Sequence, residues 1–234
     1  MVVASLLSID WDYFISAENQ EITSSVENKR TIHDLWYKKY FQYKSFGKDF
    51  EKSFFLSKDV DQFWNKIKQI FRWDQQVRIY VSDSHALSYK IAEKFEVDEV
   101  YLFDAHSDLG YGGLASLQFN VNCANWLGKL LQNRIIQKAY IIYSPFTKEK
   151  PEFFNEINKA FNIQYLKFED LYEGIKTNVI HICRSGAWTP PWFDGKFVEF
   201  VRAIGLPYKV YQCPIRKWNP NNVTFAEKLD YLMA

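Results

Sequence analysis

Residues 77–81, 99–103 and 139–143 are short apolar runs, and between them residues 86–95 and 124–131 carry apolar side chains at helical spacing. A strand, helix, strand alternation of this kind leaves few architectures open. The helices must cross over between parallel strands and cover the faces of their sheet. The chain is therefore expected to be α/β, a three-layer α/β/α fold with a mostly parallel central sheet.

The flanking segments extend this pattern. Residues 2–9 form an apolar run without helical period, closed by Asp10 and Asp12, and are expected to be a buried strand. Residues 15–31 are polar and predict a surface excursion, with Thr31 capping an aromatic-rich helix over 32–43. Val60, Phe63, Trp64, Ile67, Ile70 and Phe71 fall on one helical face, capped by Ser57 or Asp59. Later come a helix over 152–161, strands over 163–166 and 178–183, and a helix over 197–204. With 47% hydrophobic residues, 234 residues suffice for one core, so residues 1–234 are expected to form a single domain.

Charge and cysteine content narrow the partners and the compartment. Twenty-nine Lys and Arg against 28 Asp and Glu leave a formal charge of +1, which favours neither nucleic acid nor an anionic membrane. Cys123, Cys183 and Cys213 are odd in number and widely spaced, which argues against a disulfide framework and a thiolate zinc site. A reducing, cytoplasmic location is the expectation. The run over 2–9 lacks a basic leading segment and is too short for a secretory signal, and no stretch approaches a membrane span.

Three motifs carry chemistry. Asp104-Ala-His106-Ser-Asp108 alternates three possible ligands with small residues, so an extended backbone can aim all three the same way. Asp10-Trp-Asp12 repeats that alternation, and Ser82-Asp83-Ser84-His85 adds a second imidazole. Each is weak alone: a DxD caps turns, and a lone histidine is often a satisfied core residue. All three, however, begin where an expected strand ends, and the carboxyl ends of parallel strands line the crevice where ligands bind. Four carboxylates beside two imidazoles would repel and desolvate one another without cations. They offer more negative charge than one divalent ion needs, so a two-metal site with Asp10, Asp12, His85, Asp104, His106 and Asp108 as ligands is expected, its oxygen-rich donors favouring manganese over zinc.

With Ser8-Ile-Asp10-Trp-Asp12, His85 and Asp104-Ala-His106-Ser-Asp108 in view, the chain resembles the arginase/ureohydrolase superfamily, whose signatures are SxDxD, a strand-end histidine and DAHxD. In ordinary arginases SxDxD follows DAHxD; here it precedes it, an arginase-like arrangement with permuted motif order. The closer likeness is to an atypical branch containing the peptide arginases, which convert arginine side chains of ribosomally made precursor peptides to ornithine. The runs Asn122-Cys-Ala-Asn125-Trp126 and Trp188-Thr-Pro-Pro-Trp192 belong to that likeness.

The resemblance implies two Mn2+ ions, one held by His85, Asp104, Asp108 and Asp10, the other by His106, Asp104, Asp10 and Asp12. It further implies hydrolysis of a guanidinium to urea and an amine by a water that the ions activate, with Asp108 carrying the proton to the leaving nitrogen. An arginine-containing precursor peptide is the implied partner. A bound guanidinium wants a carboxylate, and Asp83 or Asp194 is either that partner or a turn residue. Asn122 and Asn125 offer neutral polar contacts or a helix cap, and Trp188 a pocket wall or core packing. No histidine lies between Ser107 and Ile180, so the proton-shuttling histidine of free-arginine enzymes has no match there. Other outcomes are a ureohydrolase acting on free arginine or agmatine, an amide deacetylase, and a metal-braced module that binds peptide without turnover.

Overall fold

The computed structural model describes residues 4–18, 27 and 32–233. In chain order the elements are β1 (Ser5–Asp10), β2 (Ile15–Ala17), α1 (Ile32–Ser45), β3 (Phe54–Leu56), α2 (Phe63–Ile70), β4 (Phe71–Arg72), β5 (Arg78–Ser82), α3 (Leu87–Lys94) and β6 (Glu99–Asp104). They continue with α4 (Trp126–Gln132), β7 (Lys138–Tyr143), α5 (Asn155–Ala160), β8 (Ile163–Leu166), β9 (Ile175–Lys176), β10 (Val179–Cys183), α6 (Asp194–Arg202), β11 (Lys209–Tyr211) and α7 (Phe225–Met233).

Seven strands form the central sheet in the order β11-β5-β10-β1-β6-β7-β8, and every ladder in it is parallel. Strand β1 lies in the middle, which explains why its six residues are all buried. Alternation along the strands divides the core in two. Leu7, Ile9, Tyr101 and Phe103 pack against Trp36 of α1, Phe63 and Trp64 of α2 and Phe200 of α6. Leu6, Val100 and Leu102 face the other way, onto Ile91 of α3, Trp126 and Leu127 of α4 and Ile157 of α5. Both sheet faces are covered, and the three-layer α/β/α expectation holds. Among the described residues no helix is long and apolar enough to cross a membrane.

Several boundaries differ from the expectation, for local reasons. The first strand runs to Asp10, and residues 1–3 and the Thr31 cap lie outside the described residues. The excursion begins with a strand: β2 pairs antiparallel with β3, so Ile15 and Ala17 serve a small ribbon. The helix expected over 60–71 is preceded by a 3-10 turn, Lys58–Asp61, whose Ser57 hydroxyl accepts from the Asp59 N–H. Its expected last residue, Phe71, instead opens β4, which pairs with β9. Glu152 and Phe153 lie in a 3-10 turn, Pro151–Phe154, before α5, and α6 starts three residues before Phe197. Strand β11 and helix α7 have no counterpart in the sequence expectation. The former is a three-residue exposed edge, and the latter is a C-terminal helix that buries no residue although Phe225, Leu229 and Leu232 fall on one face.

Candidate metal centre

All three motifs sit at the carboxyl edge of the sheet. Asp10 ends β1, Asp104 ends β6, and His85 lies between β5 and α3. Asp10 also caps the 3-10 turn Trp11–Phe14: its Oδ1 accepts the Asp12 N–H at 3.1 Å, which brings the second carboxylate back over the strand end. Asp104 does the same in its motif, accepting the His106 N–H at 2.8 Å. Asp108 adopts a left-handed conformation (φ 51°), and its carbonyl accepts the Leu127 N–H at 3.1 Å, anchoring the loop to the start of α4. That close approach needs Gly128, since a Cβ there would lie 2.3 Å from the Leu109 carbonyl oxygen.

The six predicted ligands converge in two groups. His85 Nδ1 lies 3.1 Å from Asp10 Oδ2, 3.0 Å from Asp104 Oδ2 and 2.9 Å from Asp108 Oδ2. His106 Nδ1 lies 2.9 Å from Asp12 Oδ2 and 3.5 Å from Asp104 Oδ1. Asp104 therefore gives one oxygen to each group. His85, Asp10, Asp12, Asp104 and Asp108 are buried, while the His106 side chain is 36% exposed.

Whether these residues suit a cation can be judged from their unsatisfied atoms. His85 Nδ1 and Asp104 Oδ2 are buried without a hydrogen-bond partner, although one faces the other. A nitrogen ringed by three carboxylate oxygens at about equal distance, left without a hydrogen-bond partner, is a donor set that could hold a metal ion. Four carboxylates and two neutral imidazoles are balanced in charge by two divalent cations. The residues fit two ions.

Without cations, protons must do the balancing. Burial, then the charges of Asp12, Asp108 and Asp10, push the Asp104 carboxyl well above its ordinary range. Burial and the Asp12 charge raise Asp10 to about 6. For His85 burial opposes protonation, but Asp10, Asp104 and Asp108 outweigh it and raise its pKa well above the usual value; Asp12 and Asp104 do the same for His106. The raised histidines stabilise the metal-free fold below about pH 6.5, and that contribution is lost as pH climbs through their higher folded values. Asp10 adds a cost that builds between its ordinary value near 3.8 and about 6, where the unfolded chain has ionised and the buried carboxyl has not, and that stays constant above about 6, so the loss beyond pH 6 comes from the histidines. Asp12 is shifted downward, the charge of His106 overcoming burial, so its effect lies at acid pH outside this window. The metal-free protein should therefore lose stability between pH 6 and pH 8, and Mn2+ should raise the melting temperature more at pH 8, where protons no longer compete for the ligands. Thermal unfolding with and without Mn2+ at both pH values checks this, and equal shifts would count against it.

The centre forms the floor of a cavity of about 730 Å3 lined by Asp10, Asp12, His85, His106 and Asp108. Its walls include Tyr111, Phe146, Phe153 and Trp188. The Trp188 ring lies 6.4 Å from the His106 ring and forms part of the cavity wall.

The other expected substrate contacts are placed elsewhere. Asp83 accepts from Arg184 Nε at 2.7 Å and the Gly186 N–H at 3.1 Å. Asp194 pairs with Arg184 Nη1 at 2.7 Å and with Arg216 Nη2 at 2.5 Å. Both carboxylates thus already hold the chain's own guanidinium groups, and neither lines the metal cavity. Asn122 and Asn125 brace the loop before α4: Asn125 Oδ1 accepts the Asn122 N–H at 2.9 Å, and Asn122 Oδ1 the Ala124 N–H at 2.9 Å. Cys123 and Ala124, between them, are the residues that reach the cavity.

Sequence reasoning missed three residues that the structure places at the centre. The Ser185 hydroxyl donates to Asp10 Oδ2, and the Trp126 indole N–H donates to Asp108 Oδ2 at 2.5 Å. Glu149 lines the cavity, accepting from the Ser107 N–H at 2.9 Å and from the Tyr111 hydroxyl. Burial raises its pKa, and among the described residues it pairs with no Lys or Arg. Its segment also supports the motif loop, since Thr147 Oγ1 donates to the Ala105 carbonyl at 2.5 Å. The signal available was position: Ser185 follows β10 and Glu149 follows β7, both parallel strands ending at the same edge.

Compared with known proteins, the chain matches no family model, no curated protein and no solved structure.

Proposed function

We propose that the chain is a dinuclear metal hydrolase that cleaves the guanidinium of a peptidyl arginine, leaving ornithine and releasing urea. The observation that carries the dinuclear part is Asp104, whose two oxygens each face a different histidine-centred group. Hard oxygen donors with imidazole suit Mn2+. When bound, such a pair of ions supplies a water acidic enough to be deprotonated near neutral pH and stabilises developing negative charge.

The remaining chemistry falls to the chain's own residues. Among the described residues Glu149 is the one carboxylate lining the cavity outside the ligand set and it pairs with no Lys or Arg, so it takes the guanidinium-anchoring role considered for Asp83 and Asp194. The Tyr111 hydroxyl and the Ser107 N–H fix its orientation. Asp108, whose Oδ2 is held by the Trp126 indole beside His85, would carry the proton to the leaving nitrogen on its other carboxylate oxygen. Tyr111, Phe146, Phe153 and Trp188 supply apolar surface around the cationic group, which keeps water from competing for it.

The peptide assignment rests on the resemblance and is supported by cavity size. About 730 Å3 lies within the range that accommodates ligands much larger than a single guanidino side chain. Lys148 at the same cavity favours the alternative of free arginine, because it could meet an α-carboxylate. Incubating the Mn2+-loaded protein with arginine-containing peptides and with free arginine separates them by mass spectrometry. Loss of CH2N2 from the peptides alone is the expected result; loss from free arginine alone assigns a small-molecule ureohydrolase, and no loss from either removes guanidino hydrolysis.

A further inference from the structure

The edge of the His85 ring opposite the carboxylates enters a buried chain of hydrogen bonds that no step above uses. His85 Nε2 lies 2.8 Å from Ser8 Oγ, Ser8 Oγ lies 2.9 Å from Ser88 Oγ, and Ser88 Oγ lies 2.6 Å from His181 Nδ1. His181 Nε2 then lies 2.8 Å from Ser82 Oγ, which donates to the Ser84 carbonyl at 2.8 Å. The five side chains come from β1, β5, β10, α3 and the turn between β5 and α3, and all are buried. Ser8 and His181 are direct register partners on neighbouring strands, so the sheet itself fixes the middle of the chain.

The order of protons along this chain follows from its far end. Ser82 has one hydroxyl proton and gives it to a carbonyl, so it must accept from His181 Nε2. His181 is neutral: it is wholly buried, both its nitrogens meet hydroxyls, and no carboxylate pairs with it among the described residues. Burial pushes its pKa well below the usual histidine value, in agreement. With its proton on Nε2, its Nδ1 accepts from Ser88; Ser88 then accepts from Ser8, and Ser8 from His85 Nε2. Every hydroxyl in the chain is used once as donor and once as acceptor.

We propose that His181, acting through Ser88 and Ser8, is a positioning residue for the metal centre: the relay holds the His85 proton on Nε2 and leaves the Nδ1 lone pair for the ion that Asp10, Asp104 and Asp108 surround. Outer partners of this kind fix the tautomer and ring orientation of metal-binding histidines. His106 has no comparable support, being more exposed and without a hydroxyl partner among the described residues. The relay therefore makes the two sites unequal, with the His85 group filling first. This rests on the dinuclear reading given above.

Two measurements on the full chain test it. In the metal-free protein labelled with 15N-histidine, long-range 1H–15N spectra should show His181 as the neutral Nε2–H tautomer; an Nδ1–H tautomer reverses the relay and overturns the proposal. In Mn2+ titrations the wild type should bind in two steps. Ser88→Ala should weaken the tighter step about 10- to 100-fold and the weaker step less than about threefold, with Ser88→Thr, which keeps the hydroxyl, restoring it. An unchanged tighter step, or equal weakening of both, contradicts the proposal, since a merely structural role would not discriminate between the sites. A wild-type chain that binds no Mn2+ removes the dinuclear reading itself and the proposal with it, whereas two-step binding insensitive to Ser88→Ala removes the relay alone.

Discussion

Asp104→Asn is expected to empty both metal sites at Mn2+ concentrations that fill them in the wild type, and to lower turnover on the order of 10^3-fold or more. Changes in outer partners of metal ligands already cost about 10- to 100-fold, and Asp104 reaches both histidine-centred groups with one oxygen each. The same substitution should leave the metal-free fold at least as stable as the wild type. Asp104 is buried among Asp10, Asp12 and Asp108, and its pKa is pushed far upward by that burial and those charges. Replacing it with a neutral isostere relieves like-charge repulsion and the cost of desolvation. Elemental analysis, turnover and melting temperature of the purified variant check the three parts together. Loss of one ion with the other retained would show that the two groups do not share Asp104.

The second large effect is expected at Glu149. Glu149→Gln keeps the shape and one acceptor oxygen, which can still serve the Ser107 N–H while the amide NH2 faces the Tyr111 hydroxyl as a donor, but removes the charge proposed to pair with a guanidinium. Losing one partner of a desolvated charge pair costs about 2–4 kcal/mol, on the order of 30- to 1,000-fold in kcat/KM. Most of the effect should appear in KM, because the pairing is made as fully with bound substrate as in the transition state. Both ions should remain, which separates lost substrate binding from a damaged centre. Unchanged kinetics would place the guanidinium anchor elsewhere in the cavity.

The candidate ligand set was legible from sequence because its spacing is local: acids and imidazoles that follow apolar parallel strands gather at the crevice along the sheet edge. The layered fold was legible for the same reason, each strand being a short apolar run between amphipathic helices. The proposed guanidinium anchor was not. Asp83 and Asp194 look like free acids in the sequence, and only the folded chain shows Arg184 and Arg216 folded back onto them from the segments after β10 and β11. Glu149 lies among Lys148 and Lys150 and reads as part of a solvated charge run, until the loop after β7 turns it into the cavity. His181 reads as a strand residue and is one; its connection to His85 depends on the register of β1 against β10, which no single segment encodes.

The most direct test of the dinuclear centre is anomalous X-ray scattering from crystals grown with Mn2+. Two peaks about 3.5–4 Å apart are expected, one beside His85 Nδ1 with Asp10 and Asp108, the other beside His106 Nδ1 with Asp12, and both touching Asp104. A single peak, or none in a folded protein, would contradict it.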